Sequence, residues 1–215
     1  MAAFTVIYLH GLASSPASGK ALYLQQQFGQ LGIPVEIPDL NQGDFTHLTL
    51  TRQIHQVRRL LSATPTVLIG SSLGGLTAAF LVEDHPQISH LVLLAPAFGM
   101  LTYWRQRTSA EQLQQWQQQG TIPVYHYGEG KELPLHYEFL LDLERYDETR
   151  LRRPVPTLIL HGQHDEVIPL SASETYAQSR PWVRLVPVAD DHSLKRDLPL
   201  IWQEIVAFLG LPPSP

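Results

Sequence analysis

The stretch "VLIGSSLGGLTAAF", Val67 to Phe80, decides how this chain folds. Val67, Leu68 and Ile69 form a short apolar run that stops at Gly70. Two serines, a leucine and two glycines follow, and the apolar residues then recur at helical spacing through Leu76, Ala79 and Phe80. A buried strand, a tight turn and a helix are therefore expected in sequence. The turn carries the spacing Gly70-x-Ser72-x-Gly74. Small residues on both sides let strand and helix approach closely, and let one serine tolerate a strained backbone at the tip. Its hydroxyl would then project from the sheet above a helix N-terminus. Ser71, one residue earlier, is expected to face inward.

Further apolar runs end in turn residues on either side of this stretch. They are Thr5 to Gly11, Pro34 to Leu40, Thr66 to Ser71, His90 to Ala97, Pro156 to Gly162 and Val183 to Val188. Most are continuously apolar rather than alternating, as in strands of a parallel sheet buried on both faces. Helical stripes separate them. One has Ala21, Leu24, Phe28 and Leu31, opening after Ser15-Pro16 as cap and first-turn proline and closing at Gly32. A second has Leu50, Ile54, Val57 and Leu61. A last one has Leu198, Ile201, Ile205 and Phe208 before Gly210. Strand and helix alternate, which defines a doubly wound α/β sheet of about six strands, mostly parallel, with helices on both faces.

One segment, about residues 99–153, interrupts the alternation inside a single domain spanning 1–215. Ser109 and Gln112 form a capping box for a glutamine-rich helix, which reads as a solvated face. A hairpin around Gly128-Glu129-Gly130 and a helix with Phe139, Leu140 and Leu143 follow. An insertion here is expected to lie over the strand ends as a small cap.

A serine at neutral pH is a weak nucleophile and needs a base oriented by a carboxylate. After Ser72 the chain offers Asp165 in "LHGQHDEVIP" and His192 in "VADDHSLKRD", each just beyond the C-terminal end of an expected strand. Ligands of open α/β sheets bind at those strand ends. The order Ser, Asp, His and the placement after strands agree with a nucleophile elbow and its partners. The residues expected to act are Ser72 as nucleophile, His192 as base and Asp165 as its orienting acid. The N–H of Leu73, next to the nucleophile, and that of Leu12, in the loop after the first strand, are the expected oxyanion donors.

Other candidates have blander readings. His10 and His161 end strands and are expected to order loops, and His164 to point elsewhere. Asp190 and Asp191 adjoin His192 and are second choices for the acid, because sequence neighbours orient each other's rings poorly. Ser14 and Ser15 read as a helix cap. Tyr103, Trp104 and Trp116 are candidates for a substrate pocket, with Tyr125 and Tyr127 beside them, or alternatively form the cap's own core. Arg105 and Arg107 are candidates for an acidic substrate, or simply solvated.

Composition narrows the class. The 215 residues are 44% hydrophobic and 16% charged, with net charge −5, so a compact globular protein with a sizeable core is expected. Lys and Arg number only 15 and form no block, which argues against nucleic acid. The absence of cysteine removes a disulfide framework, thiolate metal ligation and a cysteine nucleophile together. The opening "MAAFTVIYLHG" enters a β-rich run without signal-peptide features, and no apolar run approaches membrane-span length. A cytoplasmic protein, monomeric or weakly self-associating, is the expectation.

The motifs "YLHGLASSPASGKA", "GSSLGG", "HGQHDEVIP" and "DDHSL" give a resemblance to the α/β-hydrolase superfamily over essentially the whole chain. Within it the chain is similar to small bacterial esterases with an H-G-x-x-S-S-P signature, and to the branch with acyl-glucuronide esterase and palmitoyl-protein thioesterase. "WQQQG", Trp116 to Gly120, resembles a W-x-x-x-G element in that branch's cap. The resemblance implies a three-layer α/β-hydrolase fold lacking the first two short strands. It also implies hydrolysis of a small-molecule carboxylic ester or thioester with no cofactor and no metal. Ser72 argues against dehalogenase and epoxide-hydrolase relatives, which place Asp at the elbow. An acyltransferase or lyase using the same residues, or a non-catalytic binding protein on the scaffold, are the alternatives.

Overall fold

A computed structural model describes residues 4–212. Six strands form one sheet: β1 (Thr5–Leu9), β2 (Val35–Glu36), β3 (Thr66–Ser71), β4 (Ile88–Leu94), β7 (Thr157–Gly162) and β8 (Val183–Val188). Their spatial order is β2-β1-β3-β4-β7-β8, and every pairing is parallel. The helices of the sheet layers are α1 (Gly19–Gln30), α2 (Leu50–Arg58), α3 (Leu73–Asp84), α7 (Leu170–Gln178) and α8 (Leu198–Leu209).

The sheet is buried on both faces because its side chains alternate between two cores. Val6 and Tyr8 of β1, Val67 and Ile69 of β3, and Val92 and Leu94 of β4 pack with Ala21, Leu24 and Phe28 of α1 and with Ile201, Trp202 and Ile205 of α8. Ile7, Leu9, Leu68, Leu91 and Leu93 point the other way, against Leu50 and Val57 of α2 and Leu76, Ala79 and Val82 of α3. Phe28 and Trp202 meet edge to face at 4.9 Å, closing α1 onto α8. This three-layer arrangement is the α/β-hydrolase fold.

Boundaries depart from the sequence reading where side chains take over backbone hydrogen bonds. The run Pro34 to Leu40 pairs with β1 only at Val35 and Glu36. Pro38 has no N–H to donate, and the N–H of Leu40 goes to His10 Nε2 at 3.0 Å. The first strand ends at Leu9, two residues short of Gly11. β4 stops at Leu94 because Ala95 turns to φ 45° ahead of Pro96. Helix α1 begins at Gly19 rather than after Ser15-Pro16, with Ser18 in the N-cap position and no side-chain cap bond. Gly32, at φ 71°, takes the left-handed turn that ends α1.

Between β4 and β7 lie α4 (Met100–Arg107), α5 (Ala110–Gln119), the antiparallel hairpin β5 (Thr121–His126) and β6 (Lys131–His136), α6 (Glu138–Leu143) and a 3-10 turn (Glu148–Arg150). Ser109 and Gln112 form the capping box of α5. This segment is tied to the sheet layers at several points. Thr51, at the start of α2, donates from its N–H and hydroxyl to the buried carboxylate of Asp142 at 2.8 and 2.6 Å. The N–H of Tyr127, at the hairpin tip, donates to Ala13 O at 2.8 Å, which brings the tip over the loop after β1.

Candidate active site

The strand order reverses between β1 and β3: β2 lies outside β1 on one side, and all later strands follow β3 on the other. The loops leaving these two strands diverge, and a crevice at their C-terminal ends is the expected ligand site of such a sheet. Ser72 follows β3 at this point, with φ 51° and ψ −117°. Gly70 and Gly74 flank it for reasons of space, not of φ. A Cβ on Gly74 would lie 2.2 Å from Leu9 O, and one on Gly70 would lie 2.4 Å from Gly74 O. The turn is possible only where two backbones touch.

Ser72, His192 and Asp165 come together although 120 and 27 residues separate the two contacting pairs. His192 Nε2 is 3.0 Å from Ser72 Oγ, and His192 Nδ1 is 2.7 Å from Asp165 Oδ2. An ionised carboxylate only accepts, so Nδ1 carries the proton and donates it, and Nε2 is left to accept the Ser72 hydroxyl hydrogen. The Asp165 side chain is 0% exposed and that of His192 is 22% exposed. One partner is thus sealed from water while the other opens toward substrate.

Asp165 is held by more than His192. Its Oδ1 accepts from the N–H groups of Val167 and Ile168, both at 2.8 Å. Its Oδ2 also lies 3.1 Å from His161 Nε2. Burial alone would push this carboxyl up, but the hydrogen bonds from His161 and His192 and the backbone outweigh it and hold it well below the usual carboxylate range. The His161 ring is itself fixed, with Nδ1 2.8 Å from Ser173 Oγ and Nε2 2.9 Å from Ile168 O. With Nε2–H donating to Ile168 O and Asp165, Nδ1 accepts from the Ser173 hydroxyl. The sequence reading has His161 ending a strand and ordering a loop, and the structure places it near the end of β7. Here the loop residue it orders is Asp165. The only sequence signal was the four-residue spacing at the end of one strand.

The other candidates fall elsewhere. His10 accepts from Leu40 N and lies 3.0 Å by Nδ1 from Gly11 O, anchoring the loop after β1. Asp190 accepts from Asp191 N and Arg196 N, and Asp191 accepts from Ser193 N and Oγ, so both carboxylates shape the His192 loop instead of touching its ring. Gly162 lets that loop approach β7, since a Cβ there would meet Asp190 O and Asp191 O at 2.5 Å. The sequence did not point to this role. Trp116 is 1% exposed, donates from Nε1 to Leu135 O at 3.0 Å and stacks on Trp104. Trp104 also meets Phe139, and Tyr103 packs against the apolar core on the α2 and α3 side of the sheet. Trp104, Trp116 and Phe139 form a local core of the inserted segment, and none of Tyr103, Trp104 and Trp116 lines the cavity at Ser72. Arg105 pairs with Glu144, and Arg107 donates to the carbonyls of Val167 and Glu166, so both cations are already engaged.

A cavity of about 820 Å³ opens beside Ser72 and His192. Gly11, Leu12, Tyr127 and Gly128 line it, as do Ser14 and Ser15, which are not the helix cap, and His164, which does face the site. Gly11 packs against Ser72, where a Cβ would come 3.2 Å from Ser72 Cβ. Leu12 is thereby brought next to the nucleophile. Among the described residues the N–H groups of Leu12 and Leu73 have no acceptor. Leu73 opens α3, whose dipole adds positive potential at the same place. Among the described residues no three His, Asp or Glu side chains converge as metal ligands, and no helix is long and apolar enough to cross a membrane.

The model of an uncharacterised protein family, UPF0227, matches residues 5–210. No curated protein matches the chain. Among solved structures, Est1E from Butyrivibrio proteoclasticus with ferulic acid bound is similar at TM-score 0.82 and 18% identity, over 97% of this chain and 88% of that one. Mouse alpha/beta hydrolase domain-containing protein 10 is similar at TM-score 0.79 and 21% identity, over 96% and 89%. A monoacylglycerol lipase from Paleococcus ferrophilus is similar at TM-score 0.77 and 17% identity, over 96% and 93%. At these identities the likeness is one of fold.

Proposed function

We propose that this chain, which belongs to the uncharacterised protein family UPF0227, is a serine hydrolase that cleaves carboxylic esters or thioesters of small molecules through an acyl-serine intermediate. The observation that carries the reading is the continuous chain from Ser72 Oγ through the His192 ring to the sealed Asp165 carboxylate, at 3.0 and 2.7 Å. His192 Nε2 takes the Ser72 hydroxyl proton as Oγ attacks the carbonyl carbon. The N–H groups of Leu73 and Leu12 stabilise the negative charge that develops on the carbonyl oxygen. Protonated His192 then gives its proton to the departing alcohol or thiol. Water repeats the sequence on the acyl-enzyme, releasing the acid and restoring Ser72. Asp165 remains ionised and holds the imidazole in the tautomer that accepts at Nε2. The proposed steps use only groups of this chain and water, so the reading is of an enzyme acting without a cofactor.

Ester and thioester are attacked by the same groups, and one of the similar structures carries the name of a monoacylglycerol lipase. The test is a rate series over p-nitrophenyl esters of increasing acyl length beside acyl-CoA thioesters. It is run on the wild type and Ser72→Ala, with fluorophosphonate labelling in parallel. Expected are labelling at Ser72 that disappears in the variant and a kcat lowered at least about 10³-fold. Wild-type hydrolysis by Ser72→Ala would sink the assignment.

A further inference from the structure

The cavity at Ser72 has a second wall that the hydrolytic chemistry does not use. Ala17, Ser18, Gly19 and Lys20, at the N-terminal end of α1, line it. The helix runs for 12 residues, and Ser18 makes no side-chain cap bond. Among the described residues the N–H groups of Gly19, Lys20 and Ala21 have no acceptor. Such an end is a ready anion site.

Lys20 supplies the independent observation. It is only 8% exposed, yet among the described residues its ammonium has neither a hydrogen-bond acceptor nor an ion-pair partner. The carboxylates of Asp190, Asp191 and Asp165 act on it only through their field. Each is already occupied by donors of its own. Lys195, which lines the same cavity, repels it. Burial, with Lys195 acting in the same direction, pushes the Lys20 pKa down to about 8. An ammonium desolvated without a partner is costly. The cost is explicable where a bound ligand brings the missing charge. Arg196 also borders the cavity but is drawn to Asp190 at 3.6 Å. Of the lining carboxylates, Asp191 is held by Ser193 and Glu166 sits on the exposed loop after Asp165.

We infer that the substrate of Ser72 is an anionic ester, whose carboxylate or phosphate docks between the Lys20 ammonium and the N-terminal end of α1, with Lys195 at the mouth. Lys20 is then the residue that sets specificity. The inference rests on the serine-hydrolase reading and narrows its substrate class.

Matched pairs of esters test it. Mono-4-nitrophenyl glutarate against 4-nitrophenyl butyrate places a carboxylate on the acyl side. 4-Acetoxybenzoate against its methyl ester, and 4-acetoxyphenyl phosphate against phenyl acetate, place a carboxylate or a phosphate on the leaving side. The wild type is expected to prefer the anionic member of at least one pair by about tenfold or more in kcat/KM, mainly through KM. Lys20→Met is expected to bring that ratio close to one. Lys195→Gln, altering an exposed side chain, should lower it severalfold whether or not Lys20→Met folds. A wild-type ratio near one in all pairs overturns the inference, as does a ratio that survives Lys20→Met. If no ester of either kind is hydrolysed, the hydrolase reading has failed on its own. Calorimetry with glutarate and with inorganic phosphate then decides the anion site: binding lost in Lys20→Met supports it, and no binding to the wild type overturns it.

Discussion

The backbone of Ser72, at φ 51° and ψ −117°, is held there by four hydrogen bonds. Its N–H donates to Leu94 O, and its carbonyl accepts from Gly75 N, Leu76 N and Ala97 N. A non-glycine residue in this region carries about 1–3 kcal/mol of strain, which glycine would relieve at an entropic cost of about 0.5–1 kcal/mol. Ser72→Gly and Ser72→Ala lose the same hydroxyl contact with His192, so their difference isolates the backbone term. Ser72→Gly should therefore be the more stable of the two by about 1 kcal/mol, or about 2–4 °C in Tm for a chain of this size. Thermal melts in which Ser72→Ala equals or exceeds Ser72→Gly would show that no strain is stored at the turn. The turn was legible in the sequence because steric demands this severe leave few residue choices: two glycines where backbones touch and one serine between them. Lys20 was not legible, because a lysine in a helix normally reads as solvated and only the packed cavity makes it a buried cation.

At the scale of the element, β7 and the loop beyond it carry two histidines with different tasks. His161 ends the strand, and its ring joins Asp165 to Ser173 of α7. Replacing it by phenylalanine keeps an aromatic ring but strips a donor from Asp165 and leaves the buried Ser173 hydroxyl unpaired. A cost of about 2–4 kcal/mol is expected in urea unfolding at pH 7. If His161 positions Asp165, kcat should also fall by about tenfold with little change in KM. Adding Ser173→Ala removes the orphaned hydroxyl and should recover part of the stability without recovering kcat. Recovery of both together would reduce His161 to a packing residue. Strands β3 and β8 were legible to the residue because their apolar runs end at glycine–serine or charged turns. β2 was overread because Pro38 and the Leu40–His10 bond withdraw donors from the ladder. The aromatic residues of α4 and α5 have the same sequence pattern whether they line a pocket or a local core. Only the contact of Trp116 with Leu135 O and with the Trp104 ring decides between the two.

At the scale of the whole molecule, the site draws on both layers around the sheet. The nucleophile stands at the head of α3, whose side chains pack in one core, and Lys20 at the head of α1, whose side chains pack in the other. The order reversal between β1 and β3 brings the two helix N-termini to one crevice, so both dipoles favour negative charge there. Burying a lysine at this crevice, beside Lys195, has a stability consequence. The Lys20 pKa falls from 10.5 to about 8 on folding, so between these values the unfolded chain binds more protons and wild-type stability rises with pH. Below about pH 8 the native state carries the full penalty of the buried charge, on the order of 3 kcal/mol. Lys20→Met keeps the length of the side chain without the charge. It is therefore expected to be more stable than the wild type at pH 7, with the gain shrinking between pH 8 and 10.5 as the wild-type lysine becomes neutral in both states. Added glutarate or phosphate should narrow the gain from the other direction, by stabilising the wild type alone. A Lys20→Met gain that is absent at pH 7, or that does not change across this interval, would mean that the three nearby carboxylates already compensate the ammonium.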